Sequence, residues 1–309
     1  MRKHPLVIFA YHGLIPSTSM ALNDFCFVTP EKIESDLAKV RKNGWSLVRL
    51  HEGIARLKDT RLDGPAVAIT FDDGFWNVVQ FGSELFERHN IVPTIFIPTD
   101  SILKRKQLWY TRIISAISVT EMPTFEFLGR HFSIKTAREK SVVSKFIQDA
   151  FKQLHPHAIE CLVADLEESL NISSPEESVF RLLTADECKR EVERARFDFA
   201  PHSASHAIHS RLNQQAIETE VADSIAAIKL IQAHPFHIYA YPNGSWHDIT
   251  DACPEILARS GVSYGLTTQP GWNVSAAQPF YLRRFCIGQH TDVDKLLTSV
   301  RWRFQAWIA

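Results

Sequence analysis

A chain of 309 residues, 45% hydrophobic and 22% charged, is long enough to bury one large core or two small ones. Its formal net charge of −1 supplies no basic field, so neither nucleic acid nor an anionic membrane surface is an expected partner. The five cysteines (Cys26, Cys161, Cys188, Cys253 and Cys286) are scattered and free of any Cys-x-x-Cys pair, which argues against a disulfide framework or a cysteine zinc site. Buried, reduced thiols are expected instead.

The chain opens on Met1-Arg2-Lys3-His4-Pro5 and then Leu6-Val7-Ile8-Phe9-Ala10. That apolar run is too short for a secretory leader and reads as a buried strand, with a cytoplasmic location the corresponding expectation. No stretch approaches the roughly 20 apolar residues of a membrane span. Further strands are expected at residues 66–71, 94–98, 197–201, 237–241, 264–267 and 282–287, besides 6–11. Most are apolar throughout rather than alternating, as in a parallel sheet covered on both faces. Between them, Thr29 can cap a helix with Pro30 at its first position and Gly44 at its end. Thr184 and Glu187 form a capping box for a helix through Arg196. Residues 213–233 carry the helical stripe Ile217, Val221, Ile225, Ile228 and Ile231. This alternation predicts an α/β barrel or doubly wound sheet over a single domain, 1–309. Residues 101–183 fit it poorly and read as a mostly helical insertion with little core of its own.

Two clusters can carry chemistry. Thr70-Phe71-Asp72-Asp73-Gly74 closes an apolar run with adjacent carboxylates, which repel and are costly to bury without a compensating cation. Neighbouring strand residues point to opposite sides, so one carboxylate can bind a metal while the other handles a proton. Asp-Asp-Gly is also good turn chemistry, the plain alternative. His202-Ser203-Ala204-Ser205-His206 places two imidazoles at i and i+4, on one face if the segment turns helically. With 14 histidines in the chain, and His209 close by, such a pair also arises by composition. Two histidines and one carboxylate would leave positions open for water and substrate, as in a catalytic rather than a structural metal site.

These two motifs and Tyr239-Ala240-Tyr241-Pro242-Asn243-Gly244 resemble, in order, the motifs of NodB-type polysaccharide deacetylases, carbohydrate esterase family 4. The N-terminal Tyr11-His12 and the stretch from Gly265 to Phe285 resemble the bacterial exopolysaccharide branch. The resemblance implies a distorted (β/α) barrel with Asp72 as general base and Asp73, His202 and His206 as ligands of a divalent metal. Zn²⁺ is the expected ion, with Co²⁺ or Ni²⁺ as alternatives. The Asn243 backbone N–H would stabilise the oxyanion. The histidine that members usually carry near the C-terminus is missing. His12 takes its place as expected general acid, ahead of His290, and an imidazole of ordinary pKa about 6.5 suits neutral operation. Ala240 stands where many members have an arginine. Arg283 or Arg284 is the candidate replacement, a surface ion pair being the alternative for each. Phe75 occupies a position where proline is frequent.

Trp246, Trp272 and Tyr241 are the expected substrate contacts, with Trp109 and Tyr110 as further stacking candidates. The implied activity is de-N-acetylation of an amino sugar in a polysaccharide, oligosaccharide or lipid-linked precursor. O-deacetylation, deacylation of a small amino sugar, and glycan binding without turnover are the alternatives. Lack of a secretion signal points to an intracellular precursor.

Overall fold

The strands Leu6–Tyr11 and Ala66–Phe71 are buried at every position, as their unbroken apolar sequences require. They pair in parallel over their full length. In the computed structural model, which describes residues 4–16, 27–59, 62–172, 179–233 and 236–308, these two strands are central to a parallel sheet. Phe285–Cys286 lies outside Leu6–Tyr11, while Thr94–Ile97 and then Asp198–Pro201 extend the other side. Ile238–Ala240 packs against Asp198–Pro201 and pairs in parallel with Tyr264–Leu266. Leu266 in turn bridges to Leu282, just before the Phe285–Cys286 strand.

The order thus runs round towards its start, the α/β architecture expected. Alternation sorts the side chains into two cores. Leu6, Ile8, Ala66, Ala68, Phe96, Ala200, Ala240, Leu266 and Leu282 share one cluster, so strands from all round the ring converge on a common interior. Their neighbours Val7, Phe9, Val67, Ile69, Ile95 and Phe199 join a second, larger cluster that also takes in helix residues such as Leu37, Phe86 and Ile228. The small alanines on the inner face are what a narrow ring can hold.

Helix signals read from sequence survive with trimmed ends. Thr29 Oγ1 accepts from the Lys32 N–H at 3.2 Å and Pro30–Lys42 follows, with Gly44 left-handed at φ +70°. The Thr184–Glu187 capping box opens Ala185–Glu193, shorter than the expected reach to Arg196. Asn213 caps Gln214–Ile231, whose buried face includes Ile217, Val221, Ile228 and Ile231. No helix among the described residues is long and apolar enough to cross a membrane. Cys161 and Cys286 are exposed and Cys188 and Cys253 buried, all free thiols, while Cys26 lies outside the described residues.

The segment from residue 101 departs from expectation. Its helices Trp109–Val119, Ala137–Phe151 and Pro156–Ser169 are joined by an antiparallel hairpin, Thr124–Phe127 with Arg130–Ser133. They bury a core of their own running from Trp109 to Leu170, including Ile113, Phe151, Val163 and Leu166. The returning chain is stitched to the first motif, Leu183 N–H donating to Gly74 O and Trp76 N–H to Arg181 O, each at 2.9 Å. Leu166→Ala is expected to cost about 2–5 kcal/mol, as cavity formation in a packed core does, measured as a fall in the urea midpoint. A cost under about 0.5 kcal/mol would mean that this segment has no packed core.

Candidate active site

At the end of the Ala66–Phe71 strand the Asp72 N–H still donates to Tyr11 O at 2.9 Å, so the ladder continues one residue further. Asp73 and Gly74 then turn left-handed, at φ +71° and +74°. At Gly74 a Cβ would meet Ile97 at 2.9 Å, which reserves the position for glycine. The turn is real, and it sends two carboxylates, each 2% exposed, in different directions.

Asp72 keeps the inward parity of Ala66 and Ala68 and meets Arg284, which has the parity of the inward Leu282. The guanidinium is fully buried and grips the carboxylate with both forks, Nη1 to Oδ1 at 2.7 Å and Nη2 to Oδ2 at 2.8 Å. Its Nε donates to Thr267 O at 3.0 Å, and Phe96 lies beneath it at 5.4 Å. Burial pushes the Asp72 carboxyl up, but the Arg284 charge and hydrogen bonds, together with His202 and His12, hold it below the usual range. Arg283 instead reaches the Pro270 carbonyl at the surface.

Asp73 faces the histidines. His202 Nδ1 lies 2.8 Å from Ala240 O, which only accepts, so Nδ1 carries the proton and Nε2 presents its lone pair. Burial pushes His202 down to about 4, leaving the ring neutral at pH 7, the form that ligates a metal. His206 converges on it with ring centroids 5.0 Å apart, though not by helical spacing. Ser203 and His206 are both left-handed, at φ +61° and +62°, and the segment is a loop. Glu220 clamps that loop by accepting from the Ala204 and Ser205 N–H groups at 3.0 and 2.9 Å.

Asp73 Oδ1 lies 3.1 Å from His206 Nε2 and 3.7 Å from His202 Nε2. It is buried without a donor aligned on it. Ligand atoms on a tetrahedral ion with bonds of about 2.0–2.1 Å sit roughly 3.3 Å apart, so these separations suit a cation at their centre. The three residues form a candidate metal site.

His12, Asn243, Tyr110 and Thr268 line a cavity of about 100 Å³ with both aspartates and both histidines. His12 Nε2 lies 3.8 Å from Asp73 Oδ2, and Tyr110 donates to the same oxygen at 2.7 Å. Asn243 is left-handed at φ +57°, its carbonyl accepting from Thr268 Oγ1 at 2.6 Å. Trp109, Gln148 and Lys152 complete one wall, which the inserted segment supplies.

The three expected substrate aromatics do not line this cavity. Tyr241 is buried between Tyr239 and His209, Trp246 packs outside against Tyr281, and Trp272 leans on the main core. His290 is exposed and also outside the cavity. His209 is a core histidine, its Nε2 2.9 Å from Tyr239 Oη, and burial pushes it down to about 3. Tyr110 entered the sequence reading only as a stacking candidate. Its contact with Asp73 depends on the path of the insertion, which no local pattern encodes.

Residues 132–264 match the family model described as polysaccharide deacetylase. The matched stretch holds the second and third motifs of the site and begins after Asp72 and Asp73. No curated protein matches the chain. Among solved structures, the Streptococcus pyogenes deacetylase PplD, in complex with acetate, is similar with a TM-score of 0.64 and 17% identity. That similarity covers 97% of this chain and 99% of that one. IcaB from Ammonifex degensii gives 0.59 at 16% identity, over 97% of each chain. The BpsB deacetylase domain from Bordetella bronchiseptica gives 0.56 at 12%, over 94% of this chain and 100% of its own. The fold is shared with these three structures.

Because Arg284 neutralises a buried carboxylate, Arg284→Met is expected to destabilise the fold by about 3–5 kcal/mol, the usual cost of orphaning one member of a buried pair. Equilibrium urea unfolding measures it, and a wild-type midpoint would contradict the pairing.

Proposed function

We propose that the chain is a metal-dependent hydrolase that removes N-acetyl groups from amino sugars of a polysaccharide, oligosaccharide or lipid-linked glycan precursor. The observation that carries this reading is the division of the aspartate pair within one cavity: Asp72 on Arg284, Asp73 on two histidines. The matched family description, and the two structures named as deacetylases that share the fold, support the same chemistry. Acetate, the product expected here, is named with the S. pyogenes neighbour.

In this reading Asp73, His202 and His206 hold a divalent cation. Bound there, such an ion acidifies water and polarises the acetyl carbonyl. Asp72, kept ionised by Arg284, receives the proton of the attacking water. The Asn243 N–H donates to the oxyanion that forms at the carbonyl oxygen. His12, on the same cavity, delivers a proton to the departing amine, without which nitrogen is a poor leaving group. A cavity of about 100 Å³ has room for an acetyl group and a few waters, leaving the sugar ring at the mouth. Zn²⁺ suits the donor set, and Co²⁺ or Ni²⁺ would suit it as well.

Acetate release from N-acetylglucosamine oligomers tests the reading. Turnover is expected to vanish with a chelator and return with Zn²⁺, Co²⁺ or Ni²⁺. His12→Gln is expected to lower kcat by about 10²–10⁴-fold, and Asp72→Asn by at least as much. Oligomer binding without acetate release under any of the three ions would replace the hydrolase with a glycan-binding protein. Independently of turnover, Zn²⁺ is expected to raise the Tm of the wild type and not of His202→Ala, since only a site in the folded state confers that shift.

A further inference from the structure

The insertion leaves the barrel through the helix Thr99–Lys104, which ends because Arg105 turns left-handed at φ +54°. Residues 105–107 then run opposite the returning residues 181–184, and a cavity of about 510 Å³ opens between them. It shares no lining residue with the catalytic cavity. Its floor is tied to the first motif, since Leu183 and Arg181 bond to Gly74 and Trp76.

The charges of this cavity do not cancel. Arg105, Lys106 and Arg181 line it against one carboxylate, Glu187. Glu187 is already engaged, Oε1 by Arg181 at 2.6 Å and Oε2 by the Thr184 N–H at 2.8 Å. Arg181 lies 4.7 Å over the Trp76 ring, which fixes its plane, and its Nη1 is buried with no hydrogen-bond partner. That nitrogen has no surface on the cavity, so Arg181 contributes its charge there and leaves the direct contacts to Arg105 and Lys106. Lys106 reaches Glu160 at 3.1 Å, but Lys106 is exposed and Glu160 is half-buried and already paired with Arg112, so that pair holds weakly and exchanges readily. Arg105 makes no ion pair among the described residues. The Arg105 fork and the Lys106 ammonium, backed by the charge of Arg181, present donors at a polar opening that match the oxygens of a tetrahedral anion.

We propose that this cavity binds an oxyanion of the phosphate class, with room for a diphosphate or a sugar phosphate. The anion comes either from the substrate, as a phosphate or diphosphate linked to the amino sugar, or from free phosphate. The first source rests on the deacetylase reading; binding itself does not.

Inorganic pyrophosphate titrated calorimetrically into the wild type, Arg105→Gln/Lys106→Gln and Asp73→Asn tests the binding. The wild type and Asp73→Asn are expected to bind alike, and the double variant at least tenfold more weakly, with an unchanged Tm. No binding by the wild type overturns the proposal, as does binding lost in Asp73→Asn but kept in the double variant, which would place the anion on the metal ligands. Acetate release from N-acetylglucosamine 1-phosphate and from N-acetylglucosamine then separates the sources. A lower KM for the phosphorylated sugar, lost in the double variant, assigns the site to substrate; equal KM values with pyrophosphate still bound assign it to free phosphate. Absence of acetate release from both sugars and from N-acetylglucosamine oligomers, with pyrophosphate still bound, would refute the deacetylase reading and leave the anion site standing.

Discussion

Two carboxylates on consecutive buried residues repel one another and have both lost their water, so each needs a separate counter-charge. The bidentate grip of Arg284 on Asp72 meets half of that requirement and constrains much of the fold. Arg284 follows the last bridge of the ring and Asp72 ends an inner strand, with Leu6–Tyr11 between them. The pair therefore forms only when three strands share one register. The other half is left open, because the His202 ring is neutral and Asp73 keeps beside both histidines an oxygen that no donor satisfies. Carbonyls at strand ends aim both sides of the arrangement, Thr267 O on Arg284 and Ala240 O on His202. The alanine at position 240 thus contributes through its backbone, while the arginine that meets Asp72 comes from the chain just before Phe285–Cys286.

The strands were legible because they are apolar on both faces, and the helices because their caps are chemical signals at fixed offsets. The site was legible as residue types at motif spacing, although the reason offered for the histidine pair was incorrect. A left-handed loop, not a helical turn, brings His202 and His206 together. Arg284 could have been separated from Arg283 by strand alternation alone, since residues 282 and 284 share a face. The hairpin in the insertion was hidden because its turn is Leu128-Gly129, left-handed at both positions, where asparagine or aspartate would have signalled it. The core of the insertion was hidden too, because its apolar residues are spread thinly over several helices and meet only in three dimensions.

Left-handed backbone recurs at the site: Asp73, Ser203, His206 and Asn243 all have φ near +60° to +70°. Such conformations cost a non-glycine residue of the order of 1 kcal/mol or more, and they persist only where the surroundings over-determine them. Here the surroundings are visible in the Asp72 ladder bond, the Glu220 clamp and the Thr268 bond. The strain sits on loops, while the rigid strand ends fix where those loops begin.

The inserted segment departs after the Thr94–Ile97 strand and returns beside the first motif, with its own core in between. It lends the cavity beside the aspartates a wall and the second cavity most of its rim, yet contributes none of the five residues that form the ion pair and the candidate metal site. An exchange of this segment would therefore rebuild one wall of the cavity and remove the Tyr110 bond to Asp73, while the Arg284 grip on Asp72 and the two histidines beside Asp73 would keep their places, since other parts of the chain supply them.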